Sequence, residues 1–459
     1  MYKINFNQPI HIHFIGIGGI SMSGLAEILL KENFTVSGSD NKESALTDHL
    51  ESAGATIFYG QKASNIIEGI DVVVYTAAIR EDNEEFCAAK EKGLPMLTRA
   101  ELLGQLMTNY NVPIAVSGTH GKTTTTSMLS QILLAADMDP TISVGGILKS
   151  IGGNIRVGNS EVFVTEACEY TNSFLHFFPK ISIILNIDED HLDFFKDLED
   201  IRHSFRRFAE LLPEDGILVI NGEIARLDEI THDLPCKVIT YGLTSDMNYS
   251  AANITHDEFG EASFDLLRDG VFVSRIALSV NGDHNVSNAL AALAVADQLE
   301  IPMEEAGKGL KDFHGTNRRF EYKGQFNGVT VIDDYAHHPT EITASLTAAG
   351  HYPHREIWCI FQPHTYTRTK ALFPEFVEAL CHTDHVIMTD IYAAREKNTI
   401  GISSSELADA MKEKGCDVYY IPSFKDIENF CLEHCQKGDL LITMGAGDVV
   451  NIGEALIKG

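Results

Sequence analysis

Ser117-Gly118-Thr119-His120-Gly121-Lys122-Thr123-Thr124 follows the apolar run at 113–116 and leads into a helix-like stretch at 125–136. Glycines let a backbone approach phosphate oxygens, and amides freed at a helix start point toward negative charge. Lys122 neutralises that charge, and the Thr123 hydroxyl suits a magnesium ion. Strand, glycine-lysine-threonine loop and helix in this order predict a nucleoside triphosphate site, with Gly118, Thr119, His120, Gly121, Lys122, Thr123 and Thr124 as its contacts. The spacing is a variant: the usual pattern has about four residues between the glycines, whereas here only Thr119 and His120 separate Gly118 from Gly121.

Upstream of the loop, short apolar runs at 11–15, 36–38, 56–59 and 72–75 alternate with helix-like stretches such as 22–31. This is the rhythm of a parallel α/β sheet. Thr108-Asn109-Tyr110-Asn111-Val112-Pro113 is polar, ends in proline and precedes a fresh strand, which places a first boundary there. Downstream, strands are expected at 162–165 and 181–187, short strands and turns between about 238 and 280, and then a helix carrying Asn285 and Asn288. Around Gly315-Thr316-Asn317-Arg318-Arg319 the apolar periodicity lapses, and beyond it strand and helix signals alternate again from 329 to 444. The predicted fold class is α/β in three domains: a Rossmann-like parallel sheet at 1–108, a central P-loop-type nucleotide-binding domain at 109–317, and a Rossmann-like C-terminal domain at 318–459. No tandem repeat or low-complexity tract interrupts the pattern.

The chain has 459 residues, and 35 Lys+Arg against 65 Asp+Glu give a net charge of −30. That balance disfavours a general nucleic-acid binder or a binder of anionic membranes, so an anionic substrate must be held by local basic groups. The eight cysteines include no CxxC pair, and no secretory leader precedes His11. Reduced thiols and a cytoplasmic location are the expectation. No apolar run reaches the ~18 residues that suggest a membrane span, and the sequence carries no signal for an oligomeric state.

His13-Phe14-Ile15-Gly16-Ile17-Gly18-Gly19-Ile20-Ser21 is a strand, a glycine turn and a helix start, a setting for a diphosphate. Ser21 stands where the dinucleotide fingerprint wants glycine or alanine, and Asp40 lies where a ribose-binding acid falls. Alone the element fits a nicotinamide dinucleotide or another nucleotide-linked ligand; with a separate triphosphate loop downstream, a UDP-sugar fits better. Glu166 ends a strand and His191 follows Asp188-Glu189-Asp190, so both are expected near the metal that bridges the phosphates. Magnesium prefers oxygen, which leaves His191 as a ligand, an outer-shell group or a plain capping residue. Asp333-Asp334-Tyr335-Ala336-His337-His338-Pro339 and Gln362-Pro363-His364-Thr365-Tyr366-Thr367-Arg368 each follow a strand, and two such loops suggest one site. Zinc at His337 and His338 is disfavoured for want of further ligands.

Gly16-Ile17-Gly18-Gly19 with Met22-Ser23-Gly24-Leu25-Ala26-Glu27, the loop from Gly118 to Thr126, Asn186-Ile187-Asp188-Glu189-Asp190-His191-Leu192-Asp193, and the stretch from Asp333 to Glu341 together resemble the Mur ligases of peptidoglycan synthesis. The histidine in the loop and its run of threonines resemble the alanine-adding branch. The resemblance implies ATP-dependent ligation of L-alanine to the carboxylate of UDP-N-acetylmuramate through an acyl phosphate, with Mg2+. It implies UDP-sugar contacts at Gly16, Gly18, Gly19, Ser21 and Asp40, adenine contacts at His284, Asn285 and Asn288, and a ribose contact at Asp334. It further implies an alanine pocket of His337, His364 and Arg368, metal contacts at Thr123, Glu166 and His191, and Lys122, Glu166, His191 and Arg319 as the catalytic set. The alternative within the family is the ligase that attaches a recycled tripeptide, which needs a roomier acceptor pocket. Outside it stand an NAD oxidoreductase and a catalytically silent UDP-sugar sensor. Two residues depart from the family pattern: Cys168, where many relatives show Asp, and Thr365, where Arg is frequent. Three domains with ligands in each imply closure about the turn at 315–319.

Overall fold

Runs of Val, Ile and Leu with no polar alternation form strands covered on both faces, and the parallel parts of three sheets are built this way. The computed structural model describes residues 2–76, 79–394 and 396–458. The first sheet is parallel and five-stranded, in the order Thr56–Tyr59, Thr35–Asp40, His11–Ile15, Val72–Tyr75, Met96–Thr98. Its order reverses between His11–Ile15 and Val72–Tyr75, where Ile12 pairs with Val36 on one side and Val72 on the other. A crevice therefore opens at the carboxyl ends of those two strands.

The second sheet has ten strands, with Val112–Ser117 between Ile181–Ile184 and Val162–Glu166, all parallel. Expected short strands near 238–280 are instead long: Tyr249–His256, Glu261–Arg268 and Val271–Asn281 form an antiparallel meander extending the sheet. The loop-bearing helix runs Lys122–Ala135 and begins three residues earlier than expected, because Gly121 adopts the left-handed conformation (φ 83°) that turns the chain into it. Threonine is a poor helix former. Burial overrides that preference: Thr123, Thr125, Thr126 and Ser127 are buried, and the helix packs in one apolar cluster with Asp283–Gln298 and Met303–Lys311. The opposite face of the sheet shares a hydrophobic core with the first domain, joining Leu102, Leu106 and Met107 to Phe163, Phe174 and Phe177.

The third sheet is six-stranded, in the order Glu321–Phe326, Val329–Asp334, Leu440–Met444, Ile357–Phe361, His385–Met388, Val418–Tyr420. All its neighbours run parallel except the first pair. The helical stretch after Arg368 is broken at Leu372 into Tyr366–Ala371 and Phe373–Leu380. Pro374 supplies the reason, since it has no N–H to bond the carbonyl four residues back and its ring crowds that turn, whereas it is tolerated in the first turn of the helix that follows. Against the expectation of eight free thiols, Cys381 and Cys416 form a disulfide with Cα atoms 5.7 Å apart; the other six are free. No helix among the described residues is long and apolar enough to cross a membrane.

Candidate active site

The phosphate loop is held by its neighbours rather than by itself. Asn186, just past the strand Ile181–Ile184, accepts from the His120 amide through Oδ1 at 2.7 Å and donates to the His120 carbonyl at 3.1 Å. Thr119 Oγ1 accepts from the Asp188 amide at 2.9 Å. The amides of Gly121, Lys122, Thr123 and Thr124 have no hydrogen-bond partner among the described residues. They are the free donors that a helix start turns toward an anion.

Lys122 curls over its own loop. Its Nζ donates to the carbonyls of Gly118 and Thr119 at 2.5 and 3.0 Å and pairs with Glu169 Oε2 at 2.9 Å. Burial works against its charge, but Glu169 outweighs that and the ammonium titrates above its ordinary range. Glu169 is buried, and its second oxygen has no hydrogen-bond partner, lying 3.6 Å from His191 Nε2. His191 packs against Tyr170 with ring centroids 4.6 Å apart and the planes tilted by 32°, and has a left-handed backbone (φ 54°). Cys168 lies beside these groups, its thiol pushed up to about 11, chiefly by burial and then by Glu169.

Glu166 Oε1 accepts from the Gly145 amide at 2.6 Å. A Cβ built on Gly145 would meet Glu166 Oε2 at 2.7 Å, and one on Gly146 would meet Thr123 Cγ2 at 3.1 Å. Two consecutive glycines thus keep open the space beside Thr123 and Glu166. Among the described residues no three His, Cys, Asp or Glu side chains cluster as a metal cage. An oxygen pair beside a phosphate loop fits magnesium, which takes one or two protein oxygens and fills the rest with phosphate and water. His191 is paired first with carboxylates, Glu169 and then Asp190 at 3.8 Å.

On the loop's other side a cavity of about 590 Å³ lies between the central and third domains. His120, Gly121, Thr124, His284, Asn285, Asn288, Arg319 and Asp334 all line it. That size suits a nucleoside. His284 lies on the cavity wall with its side chain exposed. Neither Asp283 nor Asn285 caps the helix Asp283–Gln298, whose N-cap is Gly282; Asn285 donates to the Asn281 carbonyl at 2.7 Å and Asn288 donates to Asn285 at 3.0 Å. Asp334 accepts from the amides of Ala336 and Phe320 and from Ser345 Oγ at 2.7, 3.0 and 2.9 Å, and burial raises it to about 6. Arg319 lies over the Tyr335 ring, 4.0 Å from Glu341.

Glu341 joins the loop to the third domain. Its carboxylate accepts from the His337 amide at 3.1 Å and faces His120 Nδ1 at 3.2 Å, while Asp188 lies 3.3 Å from His120 Nε2. Desolvation would lower His120, but the neighbouring carboxylates of Asp188 and Glu341 raise it to about 9, so it is an imidazolium at neutral pH. Beside it, His337 donates through Nδ1 to the Tyr335 carbonyl at 2.9 Å and is pushed down to about 4 by burial. The rings of His337 and His364 are 5.7 Å apart. Arg368 donates to His364 Nδ1 at 3.1 Å, and its Nε and Nη2 reach Asp190 Oδ1 at 3.1 and 2.9 Å. The carboxylate partner in this structure is therefore Asp190 of the central domain. Thr365 has φ 66° and ψ 146°, a strained setting for a β-branched residue.

In the first domain, Gly16, Gly18, Gly19 and Ser21 lie at the switch-point crevice. Asp40 Oδ2 accepts from the Gly18 amide at 2.8 Å, so the acid closes the glycine turn. Sequence reasoning did not single out Glu169, Asp190 or Glu341. Glu169 carried a signal, three residues past Glu166 in the same loop, whereas the other two act through partners distant in sequence.

Comparison with known proteins places these features. Residues 11–111, 116–296 and 318–447 match, in turn, models for the Mur ligase family catalytic domain, the Mur ligase middle domain and the Mur ligase glutamate ligase domain. The chain is 62% identical over 458 residues to a UDP-N-acetylmuramate–L-alanine ligase of Agathobacter rectalis and 61% identical over 459 residues to that of Lachnospira eligens, covering 100% of both chains in each case. A crystal structure of the Thermotoga maritima UDP-N-acetylmuramate-alanine ligase superposes with a TM-score of 0.81 at 30% identity over 98% of each chain. A murein peptide ligase of Psychrobacter arcticus gives 0.72 at 26% identity over 98% of each chain.

Proposed function

We infer that the chain, which belongs to the Mur ligase family, joins L-alanine to the lactyl carboxylate of UDP-N-acetylmuramate at the expense of ATP. The observation that carries this is a phosphate loop whose two sides differ in what they face. Lys122 pairs with Glu169 on one side, while His120 and Thr124 line the nucleoside-sized cavity on the other. A triphosphate lying across Gly121–Thr124 presents its γ-phosphorus toward the sugar nucleotide.

A carboxylate is a poor acyl donor because oxide is a poor leaving group. Attack of a carboxylate oxygen on the γ-phosphorus expels ADP and leaves an acyl phosphate. The alanine amine then attacks the acyl carbon, phosphate departs with that oxygen, and the ammonium's proton is lost to the surroundings. Charge on the phosphoryl group in flight is offset by Lys122, by the free loop amides and by Arg319 at the cavity rim. Thr123 and Glu166 would hold magnesium, which when bound screens the β- and γ-phosphate oxygens. His191, paired with Glu169, steadies the acid that holds Lys122 between turnovers. In the alanine pocket, His337 keeps its Nε2 as an acceptor for the amine because Nδ1 donates to Tyr335, and Arg368 takes the alanine carboxylate with its outward N–H groups. Gly16, Gly18, Gly19 and Ser21 receive the UDP diphosphate, and His284, Asn285 and Asn288 receive the adenine. A cytoplasmic location follows from where ATP and sugar nucleotides are made.

The test is UDP-N-acetylmuramate labelled with oxygen-18 in its carboxylate. Alanine-dependent turnover carries the label into inorganic phosphate. Unlabelled phosphate alongside alanylated product would rule out the acyl phosphate.

A further inference from the structure

Glu85 is fully buried in the first turn of the helix Glu84–Glu91, which follows the strand Val72–Tyr75, one wall of the switch-point crevice. Its two oxygens are taken by two other segments of the first domain. Oε2 accepts from Ser39 Oγ, and Oε1 accepts from Asn65 Nδ2 at 2.6 Å. His13, on the strand that forms the other wall, is also fully buried. Its Nδ1 meets Ser37 Oγ at 2.9 Å, and its Nε2 lies 3.7 Å from Glu85 Oε1 with no hydrogen-bond partner. A carboxylate taken out of water is retained only where donors replace that water, and the first turn of a helix favours its charge.

Each donor to Glu85 in turn holds a loop at the strand ends. The Ser39 carbonyl accepts from the amides of Gly16 and Ile17, both at 2.9 Å, and the next residue, Asp40, accepts from the Gly18 amide at 2.8 Å. Asn65 also donates to the Gly60 carbonyl at 2.8 Å, and the Gly60 amide donates to the Asp40 carbonyl at 2.8 Å. Glu85 therefore ties the glycine turn and the Gly60 turn, on the side of His11–Ile15, to the helix that follows the strand on the other side. Among the described residues its hydrogen bonds stay within the first domain. Neither the phosphoryl transfer nor the attack by alanine makes use of it.

We propose that Glu85 is a positioning residue for the sugar nucleotide. It fixes the two walls of the crevice relative to each other, so that the glycine turn and the free amides of the helix start behind it meet the diphosphate. This rests on the ligase reading above, which gives the first domain to UDP-N-acetylmuramate. Because Glu85 reaches only first-domain partners, the sites for ATP and alanine do not feel its loss.

The experiment is calorimetric titration of wild type, Glu85→Ala, Glu85→Gln and Ser39→Ala with UDP-N-acetylmuramate and with UDP, beside the KM values for ATP and L-alanine. Glu85→Ala should weaken both uridine ligands about tenfold or more and leave the two KM values within about twofold. Glu85→Gln, whose amide oxygen accepts from Asn65 while its nitrogen donates to Ser39, should recover most of the affinity. Ser39→Ala cuts one link but keeps the carbonyl that the turn amides use; it should weaken the same ligands, and add nothing further when combined with Glu85→Ala. Unchanged uridine-ligand affinity in Glu85→Ala would overturn the proposal, as would an equal rise in the KM for ATP, which marks a general loss of structure. If Glu85→Ala does not fold, full affinity in Ser39→Ala overturns it instead. A wild type that binds UDP but not UDP-N-acetylmuramate would overturn the substrate reading, with the role of Glu85 still read from UDP.

Discussion

Asp190→Asn removes the charge that holds Arg368 across the central and third domains. Asp190 Oδ1 accepts both Nε and Nη2, and the two side chains are only 9% and 11% exposed. Burial alone would raise Asp190, yet Arg368 and then His191 hold it well below the ordinary carboxylate range. A guanidinium has five N–H groups. Asp190 uses two and His364 one, which leaves one on each terminal nitrogen for a second carboxylate approaching end-on. Asp190 is thus a positioning residue for the alanine pocket. Removing one partner of a buried pair costs about 3–5 kcal/mol when the other stays buried. Here the third domain can swing out and rehydrate Arg368, so about 1.5–3 kcal/mol should remain, a factor of about 10–150 in the closed state. Steady-state kinetics should show the alanine KM raised at least tenfold, with affinity for UDP-N-acetylmuramate alone unchanged. An unchanged alanine KM and kcat would refute the reasoning.

Lys122→Met should lower kcat by about 10³-fold, the scale for losing a donor to transition-state charge, with UDP-N-acetylmuramate affinity kept; equal loss of both would count against separate sites. Glu166→Gln should raise the Mg2+ concentration needed for half-maximal rate, and an unchanged requirement would remove Glu166 from the metal. His120 is raised from its ordinary 6.5 to about 9, so its contribution to central–third domain closure is complete below about 6.5 and is lost as pH rises through about 9. Small-angle scattering with all ligands bound should show opening above that pH in wild type, and His120→Asn should abolish the dependence; superimposable pH profiles would sink the idea.

The apolar runs were legible because parallel strands are buried on both faces, so 11–15, 72–75 and 181–184 stand out without alternation. The meander at 249–281 was harder, since one wet face and exposed residues such as Val271 and Phe272 dilute the signal into what looks like short strands. The phosphate loop is local chemistry and could be read from eight residues. Arg368 and Asp190 lie 178 positions apart, and Glu341 meets His120 only because two domains close, so no local pattern announces either pair.

The central claim is tested most directly by inorganic phosphate release from purified protein with Mg-ATP and UDP-N-acetylmuramate, comparing L-alanine, glycine, L-serine and the cell-wall tripeptide as acceptors. The account predicts release that depends on L-alanine. Release with the tripeptide alone, or with none of the four, would contradict it.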